Sequence, residues 1–320
     1  MGKSDAALVR YLDDPVRYAD LLNGYRFGGC QIIKPEDITE RDTRLSGQSK
    51  RSNSVTHQKQ RDLARKVVCG AGIAVIALEN QDKIHYGMPV RTMVEDSLEY
   101  DRQLRAIQLA HKRNNDLKSP AEYLGGFSSH DTILPSATII LYFGKDDWDG
   151  PRDLLDLMNL DNLPEEIREL INGYPLHILE VRKFDKIENF QTDLQEVFGF
   201  IQKSDNKHDL KKYTEAHRSQ FETLNEDAYD VIASITGNTM LLKKKEMYRE
   251  GDSMNLCKGM ADWAEEERKE GEFAKAKTIA QNAFSMGLDI NKVSELCEER
   301  LDLIQTWFSE WNQSASATTK

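Results

Sequence analysis

The sequence predicts an α/β fold: a mixed central sheet flanked by helices, with an α-helical extension at the C-terminal end. Three observations carry this prediction. Residues 61–81, RDLARKVVCGAGIAVIALENQ, form two strand-like runs about a Gly70-Ala71-Gly72 centre, where glycine tolerates the positive φ of a tight turn. Residues 88–114 are too long for a strand and space Met93, Tyr100, Leu104 and Ile107 as a helical stripe. Residues 137–143, ATIILYF, read as a second strand buried on both faces. A long helix between two strands is a crossover, which sets a parallel pair beside the antiparallel hairpin.

The elements follow in order. Residues 14–28 are a helix that Asp14 can cap; Pro15 suits its first turn, Gly28-Gly29 ends it, and Tyr18, Leu21, Leu22 and Tyr25 line one side. Residues 31–34 read as a short strand. Residues 43–60 are polar and read as a mobile loop. The hairpin follows, with strands at 63–68 and 73–78 and a turn at 69–72; its second strand is apolar throughout and therefore central. Asp149-Gly150-Pro151 is a turn leading into a short helix, and residues 176–181 are a further strand. From 189 onward the chain reads as helical. Phe190, Leu194, Val197, Phe198 and Ile201 share a face, a short helix at 227–235 is ended by Gly237, Asp289 caps a helix at 290–297, and the last helix covers 301–311, with 314–320 frayed. The charge-rich stretch 247–254 reads as a linker. The predicted organisation is a domain over 1–250, with a core at about 14–201 and a helical part at 202–250, followed by a helical tail over 251–320.

Composition narrows the function. No apolar run approaches the roughly 18–20 residues needed to cross a bilayer, and the first residues carry no apolar signal-peptide core, so no membrane association is expected. The four cysteines are scattered without C-x-x-C pairing, which suits a reducing cytoplasm and argues against a zinc ribbon. The net charge of −11 is unevenly spread: residues 1–120 balance to +4 and residues 121–320 to −15. Residues 41–66 hold eight basic residues against two acidic ones. Within this stretch Lys50, Arg51, Lys59 and Arg61 are the candidate contacts to a nucleic-acid backbone.

The hairpin brings chemistry with it. If its strands pair symmetrically, residue numbers across the ladder sum to roughly 141–142, and Asp62 faces Glu79 or Asn80. Opposed residues have Cβ atoms about 4.5–5.5 Å apart, and two carboxylates that close repel unless a cation lies between them. A divalent metal is the simplest such cation; pairing of Asp62 with Arg61 or Arg65 is the plainer alternative. Gln81, two residues beyond Glu79, points to the same face.

This arrangement resembles the core of PD-(D/E)XK nucleases, in which an Asp and a Glu on adjacent strands bind Mg²⁺ and a polar residue two positions later orients the attacking water. Within that superfamily, ALENQDKIHYGMPVR (77–91) is similar to the bacterial Rpn family of recombination-promoting nucleases and transposase-like proteins. RYADLLNGYRFGG (17–29), WDGPRDL (148–154), DLQEVFGFI (193–201) and SMGLDINKVSELCEER (285–300) add to the resemblance, which covers most of the chain. It implies a cytoplasmic, Mg²⁺-dependent (or Mn²⁺-dependent) DNA endonuclease. Asp62, Glu79 and the backbone carbonyl of Asn80 would be metal ligands, and Gln81 would complete the catalytic set. Gln81 departs from the superfamily's Lys and brings no positive charge to the water. The superfamily often adds an acidic residue from the first helix, for which Asp20 and Asn23 are the candidates; a solvated helix position is the alternative for Asp20. Arg91 could grip a phosphate or pair with Glu95 at i+4. The rival reading is a non-catalytic binding or regulatory protein that keeps the nuclease fold.

Ser128-Ser129-His130-Asp131 is discounted as a triad, because real triads assemble from separate segments. His85 and His130 have no evident partner for general-base work. Trp263, Phe273, Phe284, Trp307 and Trp311 in the tail read as a small helical core. Its acidic surroundings point to a homo-oligomer or protein partner rather than to DNA.

Overall fold

The computed structural model describes residues 3–47 and 57–317. The chain opens with α1 (Lys3–Leu12) and α2 (Pro15–Arg26), where the Asp14 carboxylate accepts from the Val16 N–H as expected of an N-cap. The strand expected at 31–34 is absent. Asn23 takes over the backbone there: its Oδ1 accepts from the N–H groups of Ile32 and Ile33, and its Nδ2 donates to the Ile33 carbonyl. A strand partner could not bond the same groups, so the edge strand β1 falls later, at Ile38–Glu40.

The polar stretch 43–60 is not a simple loop. β2 (Arg44–Gly47) and β3 (His57–Gln60) pair antiparallel, with Arg44 opposite Gln60 and Gly47 opposite His57. Leu45 is buried and anchors this small sheet, and one apolar residue in so polar a run carried no periodic signal. The main hairpin is β4 (Leu63–Cys69) and β5 (Gly72–Gln81). Leu63 faces Leu78 and Cys69 faces Gly72, so partner numbers sum to 141, within the expected register. Gly70 takes φ +59° in the turn.

The long helix α3 (Met88–Asn114) has its expected bounds and ends at Asn115 in the left-handed region. It is followed by α4 (Pro120–Gly125) and β6 (Ser136–Tyr142). The turn at 149–151 leads into a single 3-10 turn, Leu154–Leu157, and then the short α5 (Glu165–Arg168) and β7 (His177–Glu180). The main sheet runs β1-β4-β5-β6-β7, antiparallel across β1, β4 and β5 and parallel across β5, β6 and β7. The fold is therefore a mixed α/β sheet flanked by helices, as predicted.

The helical part comprises α6 (Leu194–Lys203), α7 (Lys207–Ala216), α8 (Arg218–Glu222), α9 (Glu226–Ile235) and α10 (Thr239–Lys243). A hairpin of β8 (Arg249–Glu250) and β9 (Ser253–Met254) precedes α11 (Leu256–Ser285), α12 (Ile290–Cys297) and α13 (Leu301–Ala317). The expected frayed end is helical through Ala317. Strand alternation sends Leu63, Val67, Leu78, Ile139 and Leu141 into one large core with α1, α2, α6 and α9. Met254 and Leu256 are fully buried in that same core, and Met254 exchanges backbone hydrogen bonds with Leu224. Residues 247–254 are thus not a linker. Arg249, Glu250 and Asp252 around Gly251 look like a linker in sequence but make a docked hairpin. A separate small core of Ala276, Ala280, Val293, Ile304, Trp307 and Phe308 begins only in the second half of α11. Among the described residues no helix is long and apolar enough to cross a membrane.

Candidate active site

The other face of the sheet is built differently. A small apolar cluster of Met88, Ile140, Tyr142 and Trp148 covers one part of it. Over β6 and against β2, α3 lays down a polar stripe instead. Thr92, Glu95, Asp96, Glu99 and Gln103 are all buried, whereas the predicted apolar stripe of Met93, Tyr100, Leu104 and Ile107 is only half-buried. This stripe recurs at 92, 95, 96, 99 and 103, a helical spacing visible in the sequence once polar residues are counted as a face.

Each buried carboxylate on α3 meets an arginine. Asp96 accepts from Arg61, Ser136, Thr138 and Tyr174. Glu99 takes Arg41, Arg102 and Gln103. Glu95 Oε1 accepts from Arg91 Nε at 3.1 Å, and Arg91 Nη2 donates to Glu79 Oε2 at 2.7 Å. Of the readings weighed for Arg91, the i+4 pair with Glu95 is formed, and it extends to Glu79.

Register places Asp62 one residue before the ladder and opposite Glu79, on the α3 face with Gln81. The Asp62 Oδ2 accepts from the Asn80 N–H at 2.9 Å. Glu79 is fully buried at the end of β5, and burial together with the charges of Glu95 and Asp62 pushes its carboxyl up to about 8 against the opposing pull of Arg91. One oxygen of each buried glutamate, Glu79 Oε1 and Glu95 Oε2, has no hydrogen-bond partner. Asn80 points its side chain to the apolar face, where its Oδ1 is also buried without a partner. Among the described residues, no three His, Cys, Asp or Glu side chains are grouped to hold a metal ion.

The remaining candidates lie elsewhere. Asp20 and Asn23 sit on α2, against the opposite, apolar face of the sheet. Asp20 accepts from the N–H groups of Gln191 and Thr192 and from the Thr192 hydroxyl, and Asn23 ties down residues 32 and 33. Asp20 is not the solvated helix residue of the plainer reading, and neither residue is brought to Glu79. Arg61 is corrected as a nucleic-acid contact: it is 1% exposed and bound to Asp96, so its guanidinium is spent inside the protein. Arg41 and Arg65 of the basic stretch 41–66 are likewise engaged, with Glu99 and Asp13, whereas Arg44 pairs with Asp42 at the surface. Lys50, Arg51 and the side chain of Lys59 lie outside the described residues. Arg61 and Arg65, the arginines weighed as plainer partners for Asp62, are engaged with Asp96 and Asp13.

His85 and His130 are exposed. Ser128 and Asp131 are taken up in a turn, and Asp131 binds His111. All four cysteines are free thiols. Glu95, Asp96 and Glu99 were not singled out from sequence, because a carboxylate on a long helix is usually solvated. Compared with protein-family models, with curated proteins and with solved structures, this chain finds no match.

Proposed function

We propose that this protein is a metal-dependent DNA endonuclease of the PD-(D/E)XK type, similar to Rpn-family proteins. The observation that carries the reading is the register that sets Asp62 against Glu79 at the end of the β4–β5 hairpin, with Gln81 two residues on. The element order, a helix followed by three antiparallel-linked strands, a long crossover helix and a parallel strand, supports the same fold type. The unpartnered oxygens of Glu79 and Glu95 fit a cation, since a buried carboxylate oxygen left without a donor is costly. Asp62, Glu79 and the Asn80 carbonyl would hold Mg²⁺ or Mn²⁺, with Glu95 as an addition that the sequence reading lacked. When bound, the ion would supply Lewis-acid stabilisation and a more acidic water. Gln81 would orient that water by hydrogen bonds without changing its charge. The DNA backbone would be held by Lys50, Arg51 and Lys59, and the tail helices would serve a homo-oligomer or protein partner.

A plasmid-nicking assay over a metal series tests the reading. Wild type is expected to nick only with Mg²⁺ or Mn²⁺, and Glu79→Ala and Asp62→Ala to lose nicking while remaining folded. Nicking that survives Glu79→Ala would sink the assignment. A second reading, a nuclease-fold protein that binds or regulates without cutting, is favoured by Gln81 and by the guanidinium of Arg91 already lying between Glu79 and Glu95. DNA binding unaffected by metal, with no nicking under any condition, is its expected signature.

A further inference from the structure

Along α3 the carboxylates are not equally served. Glu99 has two arginines, and Asp96 has an arginine and three hydroxyls. Glu79 and Glu95 share the single guanidinium of Arg91, which takes one oxygen of each. The other oxygen of each is buried and unpartnered. Arg91 also acts electrostatically on Asp62. The two glutamates are wholly buried, but the Arg91 side chain keeps 28% exposure. Arg91 therefore reaches the buried pair from the solvent side.

We infer that Arg91 is a displaceable internal cation: it bridges Glu79 and Glu95 when no divalent ion is bound, and it is released to the mouth of the site when one binds. This rests on the metal-binding reading above. The energetic logic is competition. A guanidinium donates two directed hydrogen bonds and one charge, whereas a divalent ion brings two charges and can engage the oxygens that Arg91 leaves unpartnered. Once released, a planar fork of N–H donors at the mouth is suited to a phosphate oxygen pair. The same residue thus guards the ion-free site against carboxylate repulsion and becomes a substrate contact in the loaded one.

The test is Mn²⁺ and Mg²⁺ affinity by calorimetry on the full chain, without DNA, for wild type, Arg91→Lys and Arg91→Ala. Removing the competitor is expected to tighten ion binding about tenfold or more in Arg91→Ala. Arg91→Lys should lie between, because one ammonium cannot match the bridging geometry. An Arg91→Ala affinity equal to or weaker than wild type, with binding still abolished by Glu79→Ala, would overturn the inference and leave the metal reading standing. If neither wild type nor variant binds either ion, both fall. Should Arg91→Ala not fold, the Arg91 Nε–H resonance of wild type, assigned by its loss in Arg91→Lys, decides. It is expected to exchange slowly with water in the ion-free protein and rapidly on adding Mg²⁺; an unchanged exchange rate overturns the proposal.

Discussion

The two faces of the sheet are stabilised by opposite means. The face toward α2 and α6 is filled by Leu63, Val67, Leu78, Ile139 and Leu141 and needs no particular pairing. The face toward α3 is held by arginine–carboxylate pairs taken out of water. Apolar burial is non-directional, so the first face tolerates a lost contact as a local cavity. Buried ion pairs are directional, and each partner is costly without the other. The lesson is that the α3 face is the dearer way to hold a helix on a sheet, and it is found where the candidate site lies.

The comparison is sharpest at Asp96. Asp96→Ala leaves Arg61 buried without its carboxylate and is expected to cost about 3–5 kcal/mol in urea unfolding. The double change Arg61→Met with Asp96→Leu should cost clearly less than Asp96→Ala alone. On the apolar face Leu141→Ala is expected to cost about 2–5 kcal/mol as a plain cavity. A double variant no better than Asp96→Ala would break the contrast between the faces.

Glu79 adds a pH dependence that the apolar face lacks. Its folded pKa, about 8, is raised above the unfolded value of 4.5. Its protonated form is therefore favoured by folding, and stability present below the unfolded pKa is lost as pH rises through the folded one. Glu79→Gln should match wild type near pH 4 and exceed it by on the order of a few kcal/mol near pH 8. A pH-independent difference would show that the carboxyl titrates normally.

How far the apolar side extends along the chain is set by Met254 and Leu256. A chain ending at Gly251 loses both from the main core and is expected to melt lower by roughly 5 °C or more. A chain ending at Gly271 keeps them and should melt within about 2 °C of full length, losing only the tail cluster. Equal melting of the two would place the boundary at the hairpin after all.

The smallest expected effect is at His111, whose ring lies between Asp116 and Asp131. The hydrogen bonds that its ring donates to these carboxylates raise its pKa, so its contribution is complete below the unfolded value, about 6.5, and fades as pH rises through the folded one. His111→Asn should narrow its gap to wild type between pH 6 and pH 8 in thermal melts.

The hairpin register, the bounds of α3, the two buried strands and the caps at Asp14 and Asp289 were legible in the residue order. They rest on local signals: glycine at positive φ, apolar period and side-chain capping. The placing of Asp62 beside Glu79 and Asn80 followed from the register alone. Tertiary structure decided the rest. Asn23 took the backbone groups of a would-be strand, Leu45 turned the end of a polar stretch into a strand, and residues 247–254 docked as a hairpin. Above all, the buried side of α3 proved to be its polar stripe, with Arg61 facing inward rather than toward a ligand. A sequence records that a residue is charged but not whether a partner from a distant segment waits for it. That partner is what determines whether a carboxylate or an arginine is solvated, buried in a pair or left open for chemistry.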